Sequence, residues 1–311
     1  MTVKKVLIDC DPGIDDALAL ALAQGDPRLE VVGITAVGGN VPLEFTTENA
    51  LRLRDFYGMT APVARGAGRP LVREGIDAGN VHGAMGLGDV VLPATATELD
   101  PRHAVDLIIE TLAAAPGEIS LVATGPLTNI ALAVRKEPRI VDWAAEFVIM
   151  GGAYTRGNRT PAAEFNVMAD PEAAAVVFEA GWTTVMVGLD LTHQARANAE
   201  VRRRFVGLGR LESELLTPCL DFYGRFPTYQ ELGPAIHDAC AVAHVIDPGL
   251  MDAVPARVDV ETQGRYTSGM TVTDFSAPPE FRNALVPTTL DRERFWDLMT
   301  EAFTVIAKSM A

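Results

Sequence analysis

Short runs rich in β-branched residues alternate along most of this chain with longer stretches patterned for helices, and no other feature restricts its fold as much. Residues 3–8, 31–37, 119–123, 147–150 and 184–189 read as strands, and each is followed by a helix, at 14–23, 46–57, 127–134, 171–179 and 199–208. Strands joined by a helix run parallel, because the crossover carries the chain back to the same end of the sheet. Helices on both sides then bury the sheet, which is why its strands are apolar on consecutive residues instead of alternating. These units predict an α/β, doubly wound, mainly parallel sheet with helices on both faces. Later the pattern loosens into an apolar helix at 238–246, a hairpin of 257–261 with 270–273, and a closing helix at 291–308.

Composition narrows the class. Of 311 residues, 48% are hydrophobic, enough to bury a large core, and no Ser/Gly linker or low-complexity tract divides them. A single domain over 1–311 is therefore expected. The net charge of −15 repels polyphosphate, and no basic stripe interleaved with aromatics offsets it, which argues against nucleic acid as a partner. No apolar run approaches the ~20 residues of a membrane span. The first residues lack the apolar core of a secretion signal, so a cytoplasmic protein is expected. Cys10, Cys219 and Cys240, widely spaced and odd in number, read as small buried hydrophobes.

In open parallel sheets, ligands bind beyond the carboxyl ends of the strands, so the segments after residues 8, 37, 123 and 150 should converge on one crevice. The first of them, Asp9-Cys10-Asp11-Pro12-Gly13-Ile14-Asp15-Asp16, crowds four carboxylates into a strand-to-helix junction. Helix capping, with Asp11 as N-cap and Pro12 at the first helical position, accounts for one or two of them. Four acids against apolar surface repel one another unless a cation neutralises them. With Cys10 read as a buried hydrophobe, the donors are oxygens, which select a hard ion, and calcium's larger, flexible shell suits them better than magnesium's octahedron.

The remaining crevice motifs are rich in amides. Asn40 follows two glycines after the second strand; Thr124, at the end of the 119–123 strand, can present its backbone carbonyl; and Asn158, Glu164, Phe165 and Asn166 occupy a polar loop after residue 150. Amides and an acid suit sugar hydroxyls, and a phenyl ring suits the apolar face of a polyhydroxyl ring. His237 and Asp238 open the apolar 238–246 helix, and adjacent side chains splay apart, so the acid can reach a cation while the imidazole reaches a leaving group. His82 stands in a glycine-rich loop as a second proton-handling or base-contacting candidate.

Taken together and in order, the motifs 9–17, 37–40, 82–89, 124–130, 151–166 and 237–238 resemble the inosine–uridine-preferring nucleoside hydrolase family. The resemblance implies a Rossmann-like fold, a tightly bound Ca²⁺, and hydrolysis of ribonucleosides to ribose and free base in purine or pyrimidine salvage, by a homodimer or homotetramer. Position by position, Asp11 is similar to the family's general base and a calcium contact, and Asp16, Asp238 and the Thr124 carbonyl to its other protein ligands. Asp15, Asn40 and Asn166 are similar to residues that hold the 2′- and 3′-hydroxyls, Asn158 and Glu164 to those at the 5′-hydroxyl, and Asp9 to a residue behind the ligands.

On this reading Asp11 takes a proton from a metal-activated water, nearby carboxylates and amide oxygens stabilise an oxocarbenium-like ribose, and the leaving base is met by His237, or else by His82. Tyr223 or Tyr229 closes the pocket over the base. Purine-specific relatives often stack the base between tryptophans, whereas Trp143, Trp182 and Trp296 lie outside these motifs, which points to a pyrimidine-preferring or broad-range enzyme. The rival readings are an aspartate-nucleophile phosphohydrolase, which needs cations for phosphate that these motifs lack, and a nucleoside-binding protein without turnover.

Overall fold

A computed structural model describes residues 3–226 and 232–310. The described strands are β1 (Lys4–Cys10), β2 (Leu29–Ala36), β3 (Val63–Arg65), β4 (Ile119–Ala123), β5 (Ala144–Met150), β6 (Thr184–Val187), β7 (Met251–Val260), β8 (Thr271–Asp274) and β9 (Ala284–Leu290). They form one sheet in the order β3-β2-β1-β4-β5-β6-β9-β7-β8. From β3 to β9 neighbours run parallel, and β7 then pairs antiparallel with both β9 and β8. The doubly wound sheet expected from the sequence is thus present.

Each face of the sheet has its own core. Val6, Ile8 and Cys10 of β1, with Val122 of β4 and Val148 of β5, pack among the helices Ile14–Gly25, Asp238–Ile246 and Arg292–Ser309. The intervening residues Leu7, Leu121 and Phe147 point the other way, into a core built with the helices Ala104–Ala114, Thr128–Lys136 and Pro171–Phe178. This period-2 division is the physical reason for strands apolar at every position. The helix Ile14–Gly25 is apolar nearly all round because the sheet and two other helices enclose it, and at Gly25 a Cβ would stand 2.2 Å from the Ala302 carbonyl.

Strand order places the crevice. From β1 the chain winds outward through β2 to β3, then returns through Ala104–Ala114 to β4 on the opposite side of β1. The connections leaving the carboxyl ends of β1 and β4 therefore diverge, and a cleft opens between them.

Several readings change in detail. The anticipated hairpin exists, but β7 begins at Met251 and also pairs with β9, a strand the sequence pattern did not mark. Also unanticipated are β3 and the helices Ala104–Ala114 and Thr217–Tyr223. The helix expected at 199–208 stops at Arg204, before Gly207 at φ +90°. Gly13, not Asp11, is the N-cap of the first long helix. No described helix is long and apolar enough to cross a membrane.

Candidate active site

The carboxyl ends of β1, β2, β4 and β5 open onto a cavity of about 240 Å³. Around it stand Asp15 from the first helical turn after β1, Asn40 from the loop after β2, Thr124 just beyond β4, and Asn158, Glu164, Phe165 and Asn166 from the loop after β5. His82, Tyr223, His237 and Asp238 complete the wall assembled from the predicted residues. Asp11 and Asp16 lie behind that wall, both with no solvent exposure. Tyr229 lies outside the described residues.

Hydrogen bonds hold the acids in place and leave over one oxygen each of Asp9, Asp11 and Asp238, the last two nearest the cavity. The Asn40 backbone N–H donates to Asp11 Oδ2 at 2.6 Å, and its side-chain amide donates to both the Asp11 carbonyl and Asp16 Oδ2 at 3.1 Å. Asp16 also accepts from Gly13 N–H and from the Thr124 hydroxyl, each at 2.9 Å. Asp11 Oδ1 and Asp238 Oδ2 are buried with no partner among the described residues. Burial without a partner costs a charged oxygen more than the ~1–3 kcal/mol of a neutral group, so this pair is the strongest sign that something positive completes the site.

The electrostatics point the same way. Burial, reinforced by Asp15, pushes the Asp16 carboxyl up to about 7. Burial and then Asp16 push Asp11 well above the usual carboxylate range, and burial with Asp15, Asp16 and Asp11 does the same to Asp238. Carboxylate oxygens of Asp15, Asp16 and Asp238 lie within 4.8 Å of one another. The acids closest together therefore include Asp15, expected to hold sugar hydroxyls, and not Asp11, expected as a metal contact. Behind them Asp9 accepts from Thr35 and Asn129, and burial lifts it to about 7.

The loop residues fall into two groups. Asn166 donates its amide to the Thr124 and Met150 carbonyls, at 2.8 and 3.1 Å, which leaves its Oδ1 as the acceptor end. The Thr124 carbonyl thus already has a donor. Glu164 is a buried N-cap whose oxygens accept from the backbone N–H groups of Gly152, Asn166 and Val167, and burial raises it to about 6. Asn158 Oδ1 accepts from Phe165 N–H. Glu164 and Asn158 accordingly shape the loop as well as face the cavity.

Both histidines are neutral at pH 7. Burial lowers His82, and Ile14 N–H donates to its Nδ1 at 3.1 Å, so the ring hydrogen sits on Nε2. The Tyr223 hydroxyl gives its one hydrogen to Asp15 Oδ1 at 2.9 Å and can accept that Nε2–H at 3.3 Å. Burial takes His237 down to about 4, with the neighbouring His193, Arg196 and His82 acting in the same direction. A neutral imidazole offers a hydrogen bond, and only a small fraction of it carries a proton to give away.

Two glycines make the room that Asp11 occupies. A Cβ on Gly39 would lie 2.1 Å from Asp11 Oδ2, and one on Gly125 would lie 2.7 Å from Oδ1. Neither has a positive φ, so space and not backbone conformation demands glycine there. Gly125→Ala should displace the carboxylate and lower turnover by about 10²-fold, a loss in kcat readable in a steady-state assay beside a near-native circular dichroism spectrum.

Sequence reasoning missed Met150 and Arg159 of the cavity wall, and Thr192, whose hydroxyl lies 2.7 Å from His237 Nδ1. Thr192 follows β6, so the strand-end rule that found Thr124 would have reached it too. The three tryptophans lie elsewhere: Trp182 stacks on Phe147 in the core, Trp296 is buried beside Phe295, and Arg139 covers Trp143.

The family model described as inosine-uridine preferring nucleoside hydrolase matches residues 6–297. An inosine-uridine preferring nucleoside hydrolase from Crithidia fasciculata is 46% identical over 307 residues, spanning 96% of this chain and 97% of the relative. A pyrimidine-specific ribonucleoside hydrolase, RihA, from Citrobacter koseri is 43% identical, spanning 97% of this chain and 98% of the relative. Among solved structures, a purine-preferring ribonucleoside hydrolase from Gardnerella vaginalis superposes with a TM-score of 0.91 at 31% identity, over 98% of this chain and all of the other.

Proposed function

Because the chain belongs to the inosine-uridine preferring nucleoside hydrolase family and is a ribonucleoside hydrolase, we propose that it cleaves the N-glycosidic bond of pyrimidine nucleosides, or of a broad range, with the help of Ca²⁺. The observation that carries the metal part is the pair of orphaned buried oxygens, Asp11 Oδ1 and Asp238 Oδ2, beside Asp15 and Asp16. An all-oxygen donor set fits a hard cation, with Asp11, Asp16, Asp238 and the Thr124 carbonyl as its protein ligands and calcium the better match to a crowded, irregular cluster. A bound ion would supply positive charge there, to attract the ribose hydroxyls and to acidify a water.

The residues do the rest. Asp15, Asn40 and the Asn166 Oδ1 hold the 2′- and 3′-hydroxyls, Asn158 and Glu164 lie toward the 5′-hydroxyl, and Phe165 packs on the sugar. Asp11 accepts the proton that water loses as its oxygen bonds to C1′. The C1′–N electron pair leaves with the base, which regains a proton from solvent while Asp11 returns its own. His237 donates a hydrogen bond to the departing base, with His82 and Tyr223 beside Asp15 on the same wall. The absence of tryptophan from the described lining supports a base pocket not built on tryptophan stacking, hence the pyrimidine or broad-range preference.

Purified protein incubated with uridine, cytidine and inosine should release reducing sugar; phosphate release from sugar phosphates with nucleosides untouched would overturn the reading. His237→Ala should slow uridine by about 10²-fold or more. It should leave nitrophenyl riboside, whose leaving group needs no help, within a few-fold of the parent. Equal slowing of both would remove His237 from the leaving-group role.

A further inference from the structure

Thr192 is fully buried at the end of the short helix Leu189–Thr192 that follows β6, and it does not line the cavity. Its Oγ1 stands 2.7 Å from His237 Nδ1, and no other acceptor for that hydroxyl is found among the described residues. The two segments are clamped in register. Ile236 N–H donates to the Ala195 carbonyl and Ala197 N–H to the Pro234 carbonyl, around a bridge between Arg196 and Ala235. The pair is therefore held by backbone on both sides and does not depend on two free rotamers.

The direction of that hydrogen bond follows from counting hydrogens. If Nδ1–H donated to Oγ1, the buried hydroxyl hydrogen would be left without an acceptor, and stranding a buried donor is expensive. If the hydroxyl donates to Nδ1, both groups are satisfied and the neutral ring carries its hydrogen on Nε2. His237 itself does line the cavity, so Nε2 is the nitrogen left for a ligand.

We propose that Thr192 is a positioning residue that holds His237 as the Nε2–H tautomer, so that the imidazole meets the departing base as a donor and never as an acceptor. This rests on the assignment of His237 to the leaving base. An acceptor nitrogen facing the negative charge that develops on the base would oppose bond cleavage, so the tautomer matters to rate more than to binding.

The test uses the full-length enzyme labelled with ¹⁵N in its five histidines. Long-range ¹H–¹⁵N spectra of the parent protein, compared with His237→Ala to assign the resonances, should show a protonated Nε2 and an acceptor-type Nδ1 for His237. A protonated Nδ1 in the parent overturns the proposal without any variant of Thr192 having to fold. Thr192→Val keeps the side-chain shape and removes the hydroxyl. It should mix the tautomers and lower kcat on uridine about tenfold, with KM changed less than twofold and nitrophenyl riboside unaffected. Thr192→Ser should restore both the spectrum and the rate. A Val variant with parent-like spectrum and rate overturns the proposal. A shifted tautomer with unchanged uridine turnover instead removes His237 from the leaving group and leaves the Thr192–His237 link standing.

Discussion

Replacing Asp11 by asparagine should lower kcat on uridine by about 10³-fold or more, while the folded protein melts no lower than the parent in the absence of added metal. The substitution keeps volume, and one amide oxygen can still accept the 2.6 Å bond from Asn40 N–H. Its NH₂ then falls where the orphaned Oδ1 now lies, between Gly125 and the other acids. A donor there can neither take a proton from water nor ligate a cation. The same change removes a carboxyl whose ionisation burial and then Asp16 oppose, so stability without the ion should hold or rise as activity collapses. The measurement is a reducing-sugar rate beside a thermal melt with chelator; turnover within tenfold of the parent would sink the assignment of Asp11 as base.

What could be read from the chain beforehand was governed by local contrast. The strand Ile119–Ala123 and the helix Asp238–Ile246 have the bounds expected of them, the strand because Gly117 and Gly125-Pro126 bracket ISLVA, the helix because DACAVAHVI is apolar past its first residue. The strand β9 carries Pro287 and β7 carries Pro255, residues that weaken a strand signal, and the ladder is irregular where Ala253 meets Pro287. β3 is three residues long and shows no pattern at all. Those elements exist because a neighbouring strand offers them hydrogen bonds, which is a tertiary fact.

The candidate site divides in the same way. Four acids at a strand end stand out in any composition, and the strand-end rule brings them toward Asn40 and Thr124, while Asp238 shows as the polar start of an apolar helix. Roles set by distance did not show: Gly39 and Gly125 matter because of what lies within 3 Å of an absent Cβ, and Thr192 matters because of a ring 45 residues away. Glu164 has a different lesson. A glutamate beside Phe165 and Asn166 reads as a sugar contact, yet its oxygens already accept from three backbone amides, so its first task is to hold the loop that carries its neighbours.

Stripping divalent ions with a chelator should abolish nucleoside turnover, with recovery on Ca²⁺, and the ion-free protein should lose stability as pH rises above about 6.5. The sign follows from which state holds more protons. Asp16 and Asp9 are raised from 3.8 to about 7 in the folded protein, and burial raises Asp11 and Asp238 well above 3.8 too, so above the ordinary carboxylate range the folded state holds protons that the unfolded chain has released. Raising pH therefore favours unfolding. Below 6.5 the buried histidines oppose this, because His237, depressed from 6.5 to about 4, gives a folded state that binds fewer protons and gains stability as pH rises. Above 6.5 that compensation is spent and the acids alone decide. A bound cation takes the place of those protons and removes the slope, since the acids are then ionised in the folded and the unfolded chain alike. At about 100-fold excess over its dissociation constant the ion contributes about 2.7 kcal/mol, or roughly 5 °C in Tm, and each proton displaced makes that contribution steeper by about 1.4 kcal/mol per pH unit. Melts at pH 6 and pH 8, each with Ca²⁺ and with chelator, check it: the calcium-dependent increment must be larger at pH 8, and an increment that is equal or smaller there would mean the ion does not sit among Asp11, Asp16 and Asp238.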